Sequence, residues 1–349
     1  MNRPAPQAEP PARLLAWAKA AGALPQGGVS VSGIAGDASS RRYYRANWPD
    51  GSCILMHAPP ATEKNHEFLA VRELLSEHGL RVPALYAVDI EAGFMALEDL
   101  GDRMLLSALS ADSAAADYSP AFELLTQLAL IQLPEGDAFP AYDEALLTEE
   151  LSRFPLWFAE SLLQYSLSSS ERELFGALSK RLITNALAQP QVVVHRDFHS
   201  RNLMCLEPGG LALIDFQDAV RGPLTYDLVS LLRDCYIRWP EPRVRDWALA
   251  HRDRLVDTGL VAPVSDDDFL LWFDLQGLQR HIKVLGTFAR LYLRDQKAAY
   301  LADLPRVVDY IRQVCAARAA SEPDLAAFIE WFERALMPQF DAQPWSTGA

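Results

Sequence analysis

The segment of residues 192–204 constrains the fold of this chain more than any other. Three consecutive valines predict a buried strand, and a polar loop follows them. In that loop His195, Asp197 and Asn202 have the spacing H-x-D-x-x-x-x-N. Two short apolar runs come next, joined by a Glu-Pro-Gly-Gly turn, and the second run ends at Asp215. These runs predict a hairpin, which would bring Asn202 and Asp215 to the same end of a sheet.

The residue types in this pattern suit phosphoryl transfer. A carboxylate such as Asp197 can orient a hydroxyl group and accept its proton. Asn202 supplies an amide oxygen and Asp215 a carboxylate, and Mg²⁺ binds such oxygen ligands together with the phosphates of a substrate. A base followed by a two-residue Mg²⁺ site is the arrangement that phosphoryl transfer from a nucleotide needs, so the pattern predicts a phosphotransferase.

Other interpretations of the same residues exist. His195, Asp197 and His199 could be metal ligands of a phosphoesterase, although the other five histidines show no paired spacing. Asp215 alone could be a turn or helix-cap residue. The joint occurrence of strand, loop, hairpin and Asp is far more specific than any one part, and it favours the phosphotransferase.

Composition narrows the class of protein further. The chain has 349 residues, with 32 Lys or Arg against 46 Asp or Glu, so its net charge is −14. This charge disfavours binding to nucleic acid or to an anionic membrane. The four scattered cysteines include no C-x-x-C pair, and no apolar run is long enough for a transmembrane helix. Because the first residues lack the apolar core of a signal peptide, we expect a cytoplasmic protein.

Hydrophobic periodicity predicts an α+β chain with a bilobal, protein-kinase-like fold. Residues 1–98 are expected to form a small β-rich N-lobe, with a helix at 10–21 and a longer one at 63–78. Residues 99–349 are expected to form a large, mostly helical C-lobe with the catalytic and metal-binding loops. The predicted strands of the N-lobe, which form an antiparallel sheet, are 29–34, 41–46, 53–57, 85–90 and 93–97. The predicted helices of the C-lobe are 119–132, 143–165, 170–188, 226–239, 242–258, 266–293, 304–319 and 322–336.

A loop of small residues at 36–43 lies between the first two predicted strands. Its backbone amides and the hydroxyls of Ser39 and Ser40 could approach phosphate oxygens, and Arg41 adds positive charge. The chain contains no G-x-x-x-x-G-K-[ST] motif, which excludes the ordinary P-loop.

Over about residues 25–310 the chain resembles the superfamily of aminoglycoside phosphotransferases and choline kinases, which are distant relatives of protein kinases. His195, Asp197 and Asn202 match its catalytic motif, and Asp215 matches its metal-binding Asp. The resemblance implies that Asp197 is the catalytic base, that Asn202 and Asp215 hold Mg²⁺, and that ATP is the phosphoryl donor. It also implies that loop 36–42 covers the phosphates.

Within the superfamily, the chain is most similar to bacterial anomeric amino-sugar kinases of cell-wall recycling. Residues 36–43, 195–202 and 215–234 carry this likeness. It implies an acceptor that is a small molecule, namely the C1 hydroxyl of N-acetylmuramic acid or N-acetylglucosamine. It further implies that backbone groups of Glu98 and Leu100 hydrogen-bond adenine.

The chain departs from the superfamily on its third strand, which usually carries a Lys that contacts phosphate and pairs with a helix Glu. Met56 occupies that position here. Glu67 or Glu73 on the next helix then lacks its usual partner, and either could pair with Arg41 or Arg42 or face solvent. The missing Lys motivates an alternative, a nucleotide-binding pseudokinase, whereas the intact Asp197 argues against it.

Four residues are candidates for contacts with the acceptor. Arg201 and Arg233 could form a fork for the carboxylate of N-acetylmuramic acid, but Arg233 could equally form a salt bridge with Asp227 or Asp234. Asp218 and Asp234 could accept hydrogen bonds from sugar hydroxyls. Because these carboxylates would also suit a cation, an aminoglycoside, choline or another amino alcohol stays open as the acceptor.

Overall fold

The computed structural model describes residues 10–34, 40–133 and 139–346. Contacts between residues group the chain into two compact units. Unit 1 comprises described residues of 1–120 and 201–218, and unit 2 comprises those of 121–200 and 219–349. This grouping follows packing rather than chain order, and the lobe boundary after residue 98 stays a prediction.

Unit 1 contains the predicted antiparallel sheet, with five strands in the order β1-β2-β3-β5-β4. This sheet and the helical remainder of the chain confirm the predicted fold class. In chain order its elements are α1 (Ala12–Ala20), β1 (Ser30–Ile34), β2 (Arg42–Trp48), β3 (Gly51–His57), α2 (Asn65–Glu77), β4 (Leu85–Asp89), β5 (Phe94–Leu97), α3 (Leu105–Ala108), the start of α4 (Ala114–Leu130), and later β7 (Leu203–Cys205) and β8 (Leu211–Leu213).

The two faces of the sheet have different roles, because successive side chains of a strand point to opposite sides. Tyr44 and Leu55 belong to a buried cluster that packs against α1. Tyr43, Arg45 and Ile54 alternate with them and line a cavity on the other face. One face therefore forms the core of unit 1, while the other is available to a ligand.

Unit 2 is mostly helical. Its elements are the rest of α4, α5 (Glu144–Arg153), a π-helix (Phe154–Leu162), α6 (Ser169–Ala188), β6 (Gln191–Val194), β9 (Val220–Pro223), α7 (Tyr226–Leu232), α8 (Glu241–Asp257), α9 (Asp266–Leu293), a 3₁₀ turn (Ala298–Asp303), α10 (Leu304–Arg318), α11 (Pro323–Trp331), a second π-helix (Phe332–Leu336) and α12 (Met337–Asp341). Strands β6 and β9 pair antiparallel. The buried helix α9 packs against many of the other helices of the unit. Of the helices described, none is both long and apolar enough to cross a membrane.

The structure corrects two predicted helices of this unit. The helix predicted over 226–239 ends at Leu232, because the Asp234 carboxylate accepts the backbone N–H of Tyr236 and closes a turn there. The helix predicted over 143–165 changes to a π-helix at residue 154. Pro155 has no N–H to donate, so one hydrogen bond of the α-helical pattern is missing at this point.

Candidate active site

The predicted catalytic loop, residues 195–202, begins where β6 ends and is held by a buried carboxylate of unit 2. Asp227 accepts the backbone N–H of His195 at 2.6 Å and that of Arg196 at 3.0 Å. Arg196 has a positive φ of 73°, which is uncommon outside glycine and turns the chain sharply just before Asp197. His195 is buried and packs against Phe198, so it supports the loop.

Asp197 is ionised over the whole neutral range. Burial alone would raise the pKa of this carboxyl group, but Lys283 and then His199 and Arg196 outweigh that effect. The pKa of Asp197 therefore lies below its ordinary value, which suits a group that must accept a proton or a hydrogen bond at neutral pH.

Asp234 forms a second anchor of the same loop. Its buried carboxylate accepts the backbone N–H of Ser200 at 2.9 Å, the Ser200 hydroxyl and the N–H of Tyr236. These three contacts go to groups of unit 2 itself. We therefore withdraw Asp234 as a sugar contact and assign it to the loop.

Arg233 is also occupied within unit 2. Its guanidinium lies over the ring of Phe273, and its Nη2 lies 2.7 Å from both Asp274 and Glu241. The side chain is only 1% exposed. The partners are thus not Asp227 or Asp234, the two carboxylates that the sequence suggested. Because a charge that is buried and already paired serves the fold, we also withdraw Arg233 as a contact for the substrate carboxylate.

Asn202 and Asp215 lie together in unit 1. The hairpin of β7 and β8 pairs Leu203 with Leu213, and the N–H of Ile214 donates to the Asn202 carbonyl at 3.1 Å. Both side chains line the cavity beside the sheet. Asp215 has a φ of 62°, and the Gln217 amide donates to its Oδ1 at 2.9 Å. The hairpin thus brings the two oxygen donors together as predicted.

This donor set fits a magnesium ion bound with a nucleotide. One amide oxygen and one carboxylate are too few to hold a metal alone, but they suit Mg²⁺ that also binds phosphates. Among the residues that the structure describes, no three His, Cys, Asp or Glu side chains cluster around a potential metal site. The phosphoesterase interpretation from His195, Asp197 and His199 therefore gains no support.

The segment that the resemblance predicts to bind adenine also lines this cavity. Glu98 and Leu100 both line the cavity. The Glu98 carboxylate pairs with Arg81 and accepts the N–H of Ala84, and the Glu98 N–H donates to the Ala84 carbonyl. The Glu98 side chain therefore stiffens this segment, and backbone contacts to adenine stay a prediction. Arg201 lines the same cavity, so it lies in unit 1 at the predicted nucleotide site.

Of the predicted phosphate loop, residues 36–42, the structure describes only residues 40–42. Ser39 lies outside the described residues, whereas Ser40 is exposed and Arg41 is buried. Arg41 forms an ion pair with Glu63 at 2.9 Å. The partner is thus neither Glu67 nor Glu73, which are both exposed on α2.

Asp218, a predicted sugar contact, lies 2.7 Å from the ammonium group of Lys64.

Sequence reasoning missed a charged network in unit 2. Glu150 is fully buried and pairs with Arg196 and, at 3.1 Å, with Lys283. Lys283 also donates to the Tyr226 hydroxyl at 2.9 Å. One signal was present in the sequence, because Arg280, His281 and Lys283 lie together in the middle of the predicted helix 266–293.

Comparison with known proteins identifies the family of the chain. The model of a family described as the phosphotransferase enzyme family matches residues 30–259. An N-acetylmuramate/N-acetylglucosamine kinase of Pseudomonas putida is 38% identical over 305 residues, which is 87% of each chain. The protein of that name from Pseudomonas aeruginosa is 40% identical over 290 residues, 83% of this chain and 84% of the relative.

Among solved structures, the choline kinase LicA from Streptococcus pneumoniae is similar in fold. Its TM-score is 0.61 at 18% sequence identity, with 87% of this chain and 99% of that chain covered. The family match spans more than half of the chain and includes both the catalytic loop and the hairpin that ends at Asp215. The chain therefore belongs to the phosphotransferase enzyme family.

Proposed function

We propose that this protein is an ATP-dependent kinase that transfers the γ-phosphoryl group to the C1 hydroxyl of N-acetylmuramic acid and N-acetylglucosamine. One observation carries the reaction type. An ionised Asp197 follows β6 on a loop fixed by Asp227, and the same chain continues within five residues to Asn202. Base and metal ligand are thus supplied by one short segment.

In the proposed mechanism Asp197 accepts a hydrogen bond from the acceptor hydroxyl and takes its proton as the phosphoryl group is transferred. Asn202 and Asp215 would hold Mg²⁺, which when bound neutralises charge on the phosphates. Gln217 orients Asp215 through its amide. Asp227 and Asp234 keep the loop in place, so that positioning contributes much of the rate.

The acceptor is inferred from relatives. Proteins 38–40% identical over most of this chain are named N-acetylmuramate/N-acetylglucosamine kinases. The similar choline kinase has 18% identity, so it supports the fold and not the acceptor. We propose that the kinase acts in the cytoplasm, because ATP is supplied there, and that it serves recycling of cell-wall amino sugars.

The proposal is tested by phosphoryl transfer from Mg-ATP, with phosphorus NMR to detect sugar 1-phosphate. Asp197→Asn removes the base and is expected to lower kcat by about 10²–10⁴-fold while ADP binding is retained. Asp112→Asn, at an exposed turn, is the matched control and should leave kcat unchanged. Near-wild-type turnover of Asp197→Asn would contradict the assigned role. Faster phosphorylation of choline or an aminoglycoside than of either amino sugar would contradict the acceptor.

A further inference from the structure

Strand β3 presents no cation to the nucleotide cavity. Met56 pairs directly across from Tyr43, so both side chains lie on the cavity face of the sheet. Ile54, two residues earlier on the same face, lines the cavity, and Met56 is fully buried. A thioether cannot neutralise phosphate charge, so any cation for that task must come from elsewhere in the chain.

Arg41, the residue just before β2, carries a positive charge next to this face. Its Nε donates to Glu63 Oε2 at 2.9 Å, while the backbone N–H of Ser40 donates to Glu63 Oε1 at 2.8 Å. Both carboxylate oxygens of Glu63 are therefore used. The side chains of Arg41 and Glu63 are only 7% and 8% exposed, so this pair is shielded from water.

The other end of the Arg41 guanidinium faces the proposed metal site. Its Nη1 lies 3.5 Å from Asp215 Oδ1, and Asp215 lines the cavity beside Asn202. The guanidinium is thus anchored through Nε at Glu63 and reaches the metal ligand through Nη1. A planar group with several N–H donors in this position can bind phosphate oxygens in a fixed geometry.

The segment before α2 makes a second link to the same region. Lys64, the residue after Glu63, pairs with Asp218, three residues beyond Asp215. Glu63 is thus linked to Asp215 through Arg41, and Lys64 is linked directly to Asp218. The two segments are therefore joined by more than one ion pair, unlike segments that share a single surface salt bridge.

We infer that Arg41 is the cation that contacts the nucleotide phosphates in this chain, and that Glu63 is the residue that positions it. The pair takes the place of a lysine on β3 and a glutamate further along α2. This inference rests on the proposed nucleotide-dependent function.

The test compares binding of ADP and adenosine by calorimetry. Arg41→Met is expected to weaken ADP binding about 10- to 100-fold, because hydrogen bonds to charged groups are strong. Adenosine carries no phosphate, so its affinity should stay within about twofold, and it also reports that the variant is folded. Arg41→Lys should recover ADP binding in part, since a lysine keeps the charge but lacks the fork.

Glu63→Gln tests the positioning role and should weaken ADP binding in the same direction, by about threefold or more. Two matched controls remove charge elsewhere in unit 1, namely Glu67→Gln, exposed on α2, and Arg13→Met, exposed on α1. Both should bind ADP like the unaltered protein. A loss in the Glu67 variant equal to that in the Glu63 variant would overturn the assignment of Glu63.

Measurements with and without Mg²⁺ separate a phosphate contact from an effect through Asp215. If Arg41 contacts phosphate, the loss of ADP affinity persists in EDTA. A loss confined to Mg²⁺ buffer, or unchanged ADP binding by folded Arg41→Met, overturns the inference. If the unaltered protein binds ADP but phosphorylates neither amino sugar, the proposed function fails and the ADP comparison still decides the role of Arg41.

Discussion

Lys283 shows how a single side chain can set the chemistry of a distant loop. It lies on α9, is largely buried, and is bound by Glu150 and the Tyr226 hydroxyl. After the opposing effect of burial, its charge is the largest influence on the pKa of Asp197. The low pKa of the proposed base is thus maintained from within unit 2.

Replacing Lys283 by Met should therefore move the acid limb of activity. Asp197 must be ionised to act, so activity falls as the pH drops through its pKa. Without the Lys283 charge that pKa rises, and the acid limb of kcat against pH is expected to shift to higher pH. Lys180→Met, exposed on α6, is the control. An unchanged limb in a folded Lys283 variant would contradict this account.

Part of the site could be predicted from sequence because the residues concerned are close in the chain or joined by a simple hairpin. Asn202 and Asp215 are of this kind, and the structure does bring them together. Arg233 and Asp234 were misjudged, because a charged residue gives no local sign of whether it points inward to a partner. The same applies to Glu63, whose pairing with Arg41 depends on tertiary packing.

At the scale of elements, α9 makes a close approach that requires glycine. A Cβ atom on Gly286 would lie 2.4 Å from the carbonyl carbon of Arg153 and 2.6 Å from its oxygen. Real Cβ atoms do not come so near to backbone. The helix can therefore pack against the junction of α5 and the first π-helix only without a side chain at this position.

Gly286→Ala is expected to lower the free energy of unfolding by about 2 kcal/mol, since the clash exceeds the gain in helix propensity. Urea denaturation measures the change. Gly176→Ala provides a matched control in α6, because nothing lies within 4 Å of the added Cβ. It should leave the stability equal or raise it by up to about 1 kcal/mol. Equal effects of the two substitutions would refute the packing argument.

Most elements could be predicted because hydrophobic spacing reports them locally. The helix predicted over 266–293 has those bounds in the structure, and the strands of the sheet agree within a few residues. The helix predicted to reach residue 239 was too long, because its end depends on the Asp234 carboxylate, which serves two loops. The π-helix that begins at residue 154 likewise has a different repeat from the roughly 3.6 residues per turn on which the predicted helix was based.

For the molecule as a whole, acid stability should depend on Glu150. Burial alone would raise its pKa, but Lys283 and Arg196 lower it from the ordinary 4.5 to about 2. As the pH falls, Glu150 is therefore protonated at a higher pH in the unfolded chain than in the folded protein. The stabilisation is complete above pH 4.5 and is lost as the pH falls towards 2.

Glu150→Gln should remove this dependence and leave two buried cations short of a partner. We expect a loss of about 3 kcal/mol at neutral pH and a flatter fall of the urea midpoint in acid. Glu149→Gln alters an exposed pair with Arg153 and should change stability by less than about 0.5 kcal/mol. If the urea midpoint fell with pH in parallel for the wild-type protein and the Glu150 variant, the prediction would be contradicted.

The methionine on β3 has a consequence for chemical reagents. A nucleotide analogue with an acyl phosphate transfers its acyl group to an amine that lies next to the phosphates. The cavity face of β3 offers no amine to such a reagent, because Met56 is buried there and the cation beside it is the guanidinium of Arg41, which is not readily acylated. We therefore expect reagents of this kind to leave β3 unlabelled.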